Sequence, residues 1–529
     1  MRDSAPRLER VLTTVVLLSA AYPFLDLCRA AWGFTTDDAF ISLRYAHFLA
    51  MGEGMRFNVS GPPVEGYSNF GFVVLSSALL RAGIEPLLVL KGLGVAACPL
   101  TALVLYRIAR RQVSRLFATL PGIVYLAFPG TAWWAVSGLE TTSYVLLVVL
   151  AVWLFLRRDE RPAFAVLAGA VVALAGWFRP DGPLIGLVVT VVLVVQSVAG
   201  RLRGASQVTP SPLGTLLRLA AGFLPLYAPY LIWRLVYFGH LLPNSVTCKL
   251  TYGGSAWTVI LEYVPVLIVA VAVLGWAGKR LLSTTNLVCL LFNVATVVLL
   301  YGVDTTISYG LRHFFAAFAL LLIPVAVGAQ GLSVRRGGTD ASRGWVAMLV
   351  LHAIVWGSIT LCDVEGRLHG FAEEYTARGR VRAQVAGWLR EELPEGASYV
   401  MGDVGVCGYL TPKLQLIDAY CLNNGALGRA AKGTHTAVLT EQVLERGPAA
   451  LVLTSRSPSV LKSRSTPFAR VLEDPRVWAR YELEVVFGED EGGFNYWVYE
   501  RRRSASAEDG GGERQAVDAD ASARSLGSE

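Results

Sequence analysis

Charge is what this chain has least of. Asp, Glu, Lys and Arg make up 16% of its 529 residues, against 54% hydrophobic residues, and the mean hydropathy is +0.48. Soluble globular chains carry about 25% charge, so that class is excluded and a polytopic membrane protein is indicated. Cysteine is also scarce. Cys28, Cys98, Cys248, Cys289, Cys362, Cys407 and Cys421 are scattered without CxxC spacing, which indicates neither a structural zinc site nor a disulfide framework. A bridge between Cys407 and Cys421 stays open. A concentrated basic stripe is missing as well: the net charge of +7 is dispersed in small Lys/Arg clusters between apolar runs. Such dispersal reads as membrane topology and excludes a nucleic-acid partner.

What is present is a series of apolar runs of membrane-spanning length. They cover residues 11–31, 86–106, 115–134, 139–156, 163–178, 183–199, 216–238, 257–276, 283–301, 311–331 and 345–361. The first lacks a small-residue cleavage site and reads as a retained anchor. Basic connections (Arg107, Arg110, Arg111 and Arg115; Arg157, Arg158 and Arg161; Arg201 and Arg203; Lys279 and Arg280; Arg335, Arg336 and Arg343) alternate with connections poor in Lys and Arg. The positive-inside rule puts the basic ones in the cytoplasm. Only one outward crossing then fits before residue 86, so the short run 69–82, ending at Arg81, reads as a re-entrant or interfacial helix. About eleven crossings result, with residues 1–361 as the transmembrane domain and 32–85 as its first outer loop.

That parity gathers the polar motifs on the outer face. They are Asp37, Asp38, Glu53, Glu65 and Asn69 in the first loop, Glu140 in "SGLETT", Arg179 and Asp181 in "WFRPDG", His240, Asn244 and Lys249 in "FGHLLPNSVTCK", and Asp304, Arg312 and His313 in "YGVDTTISYGLRH". A bundle held by packing alone has no reason to do this, whereas a site for a charged head group has. Beyond Cys362 the pattern changes: 371–392 has helical spacing, "ASYVMGDVG", "LQLIDAY", "AALVLTS", "YELEVVF" and "NYWVYE" read as strands, and 433–446 as a helix between them. An extracytoplasmic α/β domain over 362–503 is expected, followed by a disordered tail over 504–529.

Each motif also has a plain reading. Asp37 and Asp38 precede the run "AFISLRYAHFLA" and suit a helix start, but one Asp suffices for a cap. Arg179 and Arg312 are either snorkelling cations or forks for a phosphate. Glu140 is a helix cap or a sugar ligand, Asn244 a turn residue, Lys249 an interfacial cation. "GDVGVCGY" lacks dinucleotide-binding spacing and reads as a strand and turn.

The ordered set "DDAFISLRYA", "VEGYSNF", "SGLETT", "WFRPDG", "FGHLLPNSVTCK", "YGLRHFF" and "GDVGVCGYL…LQLIDAYCLNN" resembles the glycosyltransferase C superfamily, in particular its branch of bacterial terminal arabinofuranosyltransferases. It departs from the expected pattern at Val246 and in lacking prolines after Arg312. The resemblance covers residues from about 10 to 500. It implies a multi-pass enzyme of the bacterial cytoplasmic membrane, inverting, that moves arabinofuranose or a hexose from a polyprenyl-phosphate carrier to a glycan, lipid or protein acceptor. It also maps a carbohydrate-facing acid onto Asp37 and Asp38. Transfer needs a base on one side of the anomeric carbon and positive charge on the other. The expected roles are Asp37 as base with Asp38 assisting, Arg179, Arg312, His313 and Lys249 on the donor phosphate, and Glu65, Glu140, Asn244 and Asp181 on sugar or acceptor. No metal is compulsory, although Asp37, Asp38 and His313 are of a type to hold a divalent cation. The competing class, a lipid-linked sugar flippase, needs broken mid-membrane helices or repeated halves, and no repeat is evident.

Overall fold

The structure, a computed structural model, describes residues 4–202, 211–251, 256–301, 310–335, 357, 360–462, 466–488 and 493–502. Asp304, most of the expected span at 345–361 and the tail from 504 lie outside them.

Helices α1 (Ser4–Ala30), α2 (Asp37–Ala50), α3 (Phe70–Arg81), α4 (Pro86–Ala109), α5 (Arg115–Ala118), α6 (Leu120–Ala127), α7 (Pro129–Val136) and α8 (Thr141–Leu156) come first. Then follow α9 (Pro162–Phe178), α10 (Leu184–Leu202), α11 (Pro212–Phe238), α12 (Asn244–Thr251), α13 (Ala256–Leu274), α14 (Thr284–Leu300) and α15 (Phe315–Arg335). The apolar runs of the sequence are therefore helices wherever they are described. By length and composition, Glu9–Ala30, Pro86–Ala109, Pro212–Phe238 and Phe315–Val334 are able to cross a bilayer, and α5–α6 with α7, bent by 57°, form a fifth candidate. Phe128, between α6 and α7, precedes Pro129 and is extended, as the residue before a proline tends to be. The run at 69–82 is the short helix α3, as expected.

Close helix approach depends on small residues, because lipid tails give apolar helices little reason to associate. The α9–α11 crossing shows this. A β-carbon at Gly169 would overlap the Leu219 carbonyl, and one at Gly222 would overlap that of Val166. Pro162 opens α9, and Arg179, preceding Pro180, leaves the helix in an extended conformation.

The C-terminal part begins with the long helix α16 (Val364–Glu392). It continues as β1 (Ser398–Met401), α17 (Val404–Leu410), β2 (Gln415–Asp418), α18 (Gly425–Gly428), α19 (His435–Arg446), β3 (Ala450–Ser455), β4 (Tyr481–Phe487) and β5 (Asn495–Arg501). The strand order is β2-β1-β3-β5-β4. β1 pairs parallel with β2 and β3, while β5 runs antiparallel to β3 and β4. All five strands fall within the β-branched and aromatic runs of the sequence, but "GDVGVCGY", expected as a strand and turn, is mostly the helix α17 that follows β1.

This sheet domain shares a core with the first loop. Tyr45, Met55, Phe57, Tyr67 and Phe238 pack into one cluster with Leu389, Tyr399, Met401, Val404, Leu416 and Val498. Arg44 pins the seam. Its buried guanidinium donates to the carbonyls of Phe57, Gly408, Thr411 and Leu414 and to Asn58 Oδ1. Burial lowers its pKa to about 10, a cost that five acceptors offset. The bridge weighed at Cys407 is corrected: the disulfide joins Cys248 of α12 to Cys421, while Cys407 is a buried free thiol that donates to the Arg382 carbonyl at 3.2 Å. Position 248 is 173 residues from 421, so only the tertiary fold brings the two together.

Candidate active site

Helix α2 starts where Thr36 donates its amide to Ser137 O at 3.1 Å. Gly138, at φ +78°, makes the neighbouring turn, and a β-carbon there would crowd Leu87 and Ala39. Asp37 and Asp38 are the first two helical residues, about 100° apart around the axis, and they face different partners. Asp37 Oδ2 and Oδ1 accept from the amides of Gly405 (2.8 Å) and Val406 (3.0 Å), the free first turn of α17. Arg382 Nε lies 3.6 Å from the same carboxylate and ties it to Asp403. A β-carbon at Gly405 would overlap the Asp37 carbonyl. Asp37 thus caps a helix, though not its own, and the "GDVG" glycine permits the contact.

Asp38 faces the other way. Its Oδ2 lies 3.3 Å from Arg312 Nη1, whose guanidinium sits over the Trp134 ring at 5.4 Å and keeps a buried Nε without a hydrogen bond. Leu311 before it is held at φ +60°, a left-handed conformation that costs about 1–3 kcal/mol in a residue with a β-carbon. Beside this pair, Arg179 donates Nε to Asp181 at 2.9 Å, lies 3.7 Å from Glu140, and donates Nη2 to His313 Nδ1 at 3.3 Å. Glu140 also accepts from Asn69 at 3.1 Å, and Asn69 accepts from Ser42 of α2 at 2.8 Å. Tyr144 reaches Asp181 at 3.4 Å. Glu140 makes no capping bond to its own helix.

Lys249 completes the cluster. Among the described residues it has no ion-pair partner. Burial lowers its pKa to about 8, Arg312 and Arg179 push in the same direction, and Asp38 and Glu140 resist. Five separate segments thus place Asp38, Glu140, Arg179, Asp181, Arg312, His313 and Lys249 together.

Besides Asp37, two expected site residues stand apart from this cluster. Glu65 is buried against Arg234, which donates Nε to both carboxylate oxygens at 2.7 and 2.8 Å. Asn244 donates to the carbonyls of Cys421 (2.6 Å) and Leu422 (2.9 Å). Glu65 fastens the first loop to α11, and Asn244 fastens α12 to the sheet domain. The sequence reading passed over Ser42, Trp134 and Tyr144 in the cluster, and Arg44, Arg234 and Arg382 in the seam. Nothing local marks them, since each acts on a partner far along the chain. Asp37, Asp38 and His313 do not fit a metal ion in this arrangement: the two carboxylates diverge, and among the described residues no three His, Cys, Asp or Glu side chains converge as ligands.

Comparison with known proteins agrees with the fold. Residues 371–499 match a family model described as a domain of unknown function, DUF8728. The terminal beta-(1->2)-arabinofuranosyltransferase of Mycobacterium tuberculosis H37Rv is 27% identical over 244 residues, 43% of this chain and 36% of that protein. The chain thus matches about a third of that relative's length. ArnT from Cupriavidus metallidurans, solved with undecaprenyl phosphate, aligns at TM-score 0.53 and 14% identity over 92% of this chain and 97% of its own. The oligosaccharyltransferase AglB from Archaeoglobus fulgidus, solved with an inhibitory peptide and a dolichol-phosphate, aligns at TM-score 0.55 and 12% identity over 92% and 74%. The fold of this chain is that of ArnT and AglB, and its apolar helices make it a multi-pass membrane protein.

Proposed function

We propose that this chain is an inverting glycosyltransferase, moving a sugar from a polyprenyl-phosphate carrier to a hydroxyl of a cell-envelope acceptor at the outer face of the cytoplasmic membrane. Arabinofuranose is the first candidate sugar and a hexose the second. The observation that carries the reading is the Asp38–Arg312 pair, flanked by Lys249 and Arg179 at one end of an apolar bundle. It sets one carboxylate beside a group of cations where a lipid-borne phosphate would arrive. The solved neighbours' polyprenyl and dolichyl phosphates and the mycobacterial relative's name support the same chemistry.

We assign the base to Asp38 rather than Asp37, a reading supported by both oxygens of Asp37 accepting from the first turn of α17. Arg312 and Lys249 hold the donor phosphate, and Arg179, fixed by Asp181, Glu140 and His313, lies beside them. Phosphate competes with a carboxylate for a guanidinium fork, so donor binding draws Arg312 away and frees Asp38. Asp38 then takes the proton of the acceptor hydroxyl as its oxygen bonds to the anomeric carbon. The bond to the phosphate oxygen breaks with its electron pair, and the cations stabilise the developing charge. Glu140, held by Asn69, is placed to orient sugar hydroxyls. Asn244 and Asp37 hold the two domains in register, and Glu65 holds the first loop to α11.

Transfer from synthetic polyprenyl-phosphate sugars by the purified chain in lipid nanodiscs tests this. Sugar should pass to acceptor in the wild type. Absence of transfer from every pentose and hexose donor, with the protein folded, would overturn it.

A further inference from the structure

A second concave feature lies apart from the Asp38 cluster. A cavity of about 1080 Å³ opens between the first loop, the α11–α12 connection and the sheet domain, at the upper end of the range for small-molecule sites. Its walls are pre-built. Asn58 exchanges hydrogen bonds with both backbone groups of Leu416 (3.0 and 2.8 Å), and Ser60 donates to Gln415 at 2.8 Å.

Helix α12 separates this cavity from the cluster. Asn244 and Thr247 line the cavity, whereas Lys249 is about 140° and 160° around the helix from them, in the field of Asp38, Arg312, Arg179 and Glu140. Cys248 anchors the partition to the sheet domain.

The charge in the cavity is one-sided. Its two acids are silent: Glu65 is paired with Arg234, and Asp418 accepts from the amides of Tyr420 (2.7 Å), Cys421 (3.3 Å) and Asn423 (2.8 Å) and from the Asn423 side chain (3.1 Å). Its cations are not neutralised. Arg429 lies 2.8 Å from His240 Nε2 and has no carboxylate partner among the described residues, and neither has Arg446. Tyr237, stacked on Trp233 at 5.4 Å, adds an aromatic face.

We infer that this cavity binds an anionic saccharide, its carboxylate or phosphate held by Arg429 and Arg446 and a sugar ring set against Tyr237. Guanidinium forks with no competing carboxylate select oxyanions over neutral ligands, and a rigid wall limits the ordering cost of binding. That the bound saccharide is a segment of the acceptor rests on the glycosyl-transfer reading; the binding itself does not.

Calorimetry on the full-length chain in nanodiscs, with trigalacturonate and its neutral methyl ester as probes, tests the site. The acid should bind at least about tenfold more tightly than the ester, and R429Q/R446Q should remove that preference, since a charge-assisted hydrogen bond is worth about tenfold or more. K249Q, on the far side of α12, should change the affinity by no more than about twofold, as befits distant sites. Both arginines are exposed, so the double variant keeps the fold, and an unchanged thermal midpoint verifies it. Equal affinity for acid and ester, no saturable binding of either, or wild-type affinity in the double variant would each overturn the inference. Binding of trigalacturonate without sugar transfer from any donor leaves this site standing and removes the transfer reading instead.

Discussion

Asp37 and Asp38 are neighbours in the chain and belong to opposite regions of the molecule. Asp37 lies in the seam between the first loop and the sheet domain, where polar groups are largely spoken for: its own oxygens by two amides, Arg44 by five acceptors, Glu65 by Arg234. Asp38 lies in a cluster where partners are fewer and longer: one contact at 3.3 Å to Arg312, an Arg312 Nε without a bond, and Lys249 with no counter-ion among the described residues. Charge in the seam, paired except for Arg234 Nη2, fixes geometry. Unsaturated charge in the cluster leaves capacity for a ligand, and a residue type alone does not tell the two apart.

The sharpest test of the contrast sets the two aspartates against each other. Asp38→Asn should lower kcat by about 100-fold to 10,000-fold with donor binding retained, the usual worth of a positioned base. Asp37→Asn should instead lower the unfolding midpoint, by about 1–3 kcal/mol of lost hydrogen bonding. Steady-state transfer and thermal melts distinguish them, and equal kinetic damage from both would collapse the distinction.

Arg234→Met, which leaves the buried Glu65 carboxylate unpaired, should destabilise the protein by about 3–5 kcal/mol, read by denaturant unfolding. Glu65→Gln with Arg234→Met should recover much of that loss. Reduction of the Cys248–Cys421 disulfide, or C248S/C421S, should cost about 2–4 kcal/mol and raise the donor KM more than it lowers kcat, because α12 carries Lys249.

The smallest effect is a matter of pH. With a pKa lowered to about 8, the Lys249 ammonium is present below that value in the folded, empty site and is lost as pH rises through it. Donor affinity should therefore fall above about pH 8, by at most about tenfold per unit. Lys249→Arg, always charged, should flatten that limb, and a donor titration between pH 7 and pH 9.5 checks it; a limb unchanged in the arginine variant assigns the titration elsewhere.

Much of the fold was legible in the sequence. Apolar runs of spanning length became helices, the short run at 69–82 became α3, and five β-branched segments became five strands, because hydropathy and side-chain branching act over a few residues. The loops grouped by positive-inside parity supplied most of the cluster. The plain reading of Asp37 as a cap was right in kind and mistaken in the helix capped. Glu65 and Asn244 had the chemistry of ligands but went to the seam.

The sequence by itself determined that the chain enters a bilayer, where most of its apolar helices and its strands lie, and which polar residues gather together. Only the tertiary structure decided which aspartate stays available, which cysteines join, and which arginines are spent on backbone carbonyls. Those outcomes depend on desolvation and on partners separated by as many as 370 positions, as between Arg44 and Leu414, and free energies of that kind exist only once the two surfaces have met.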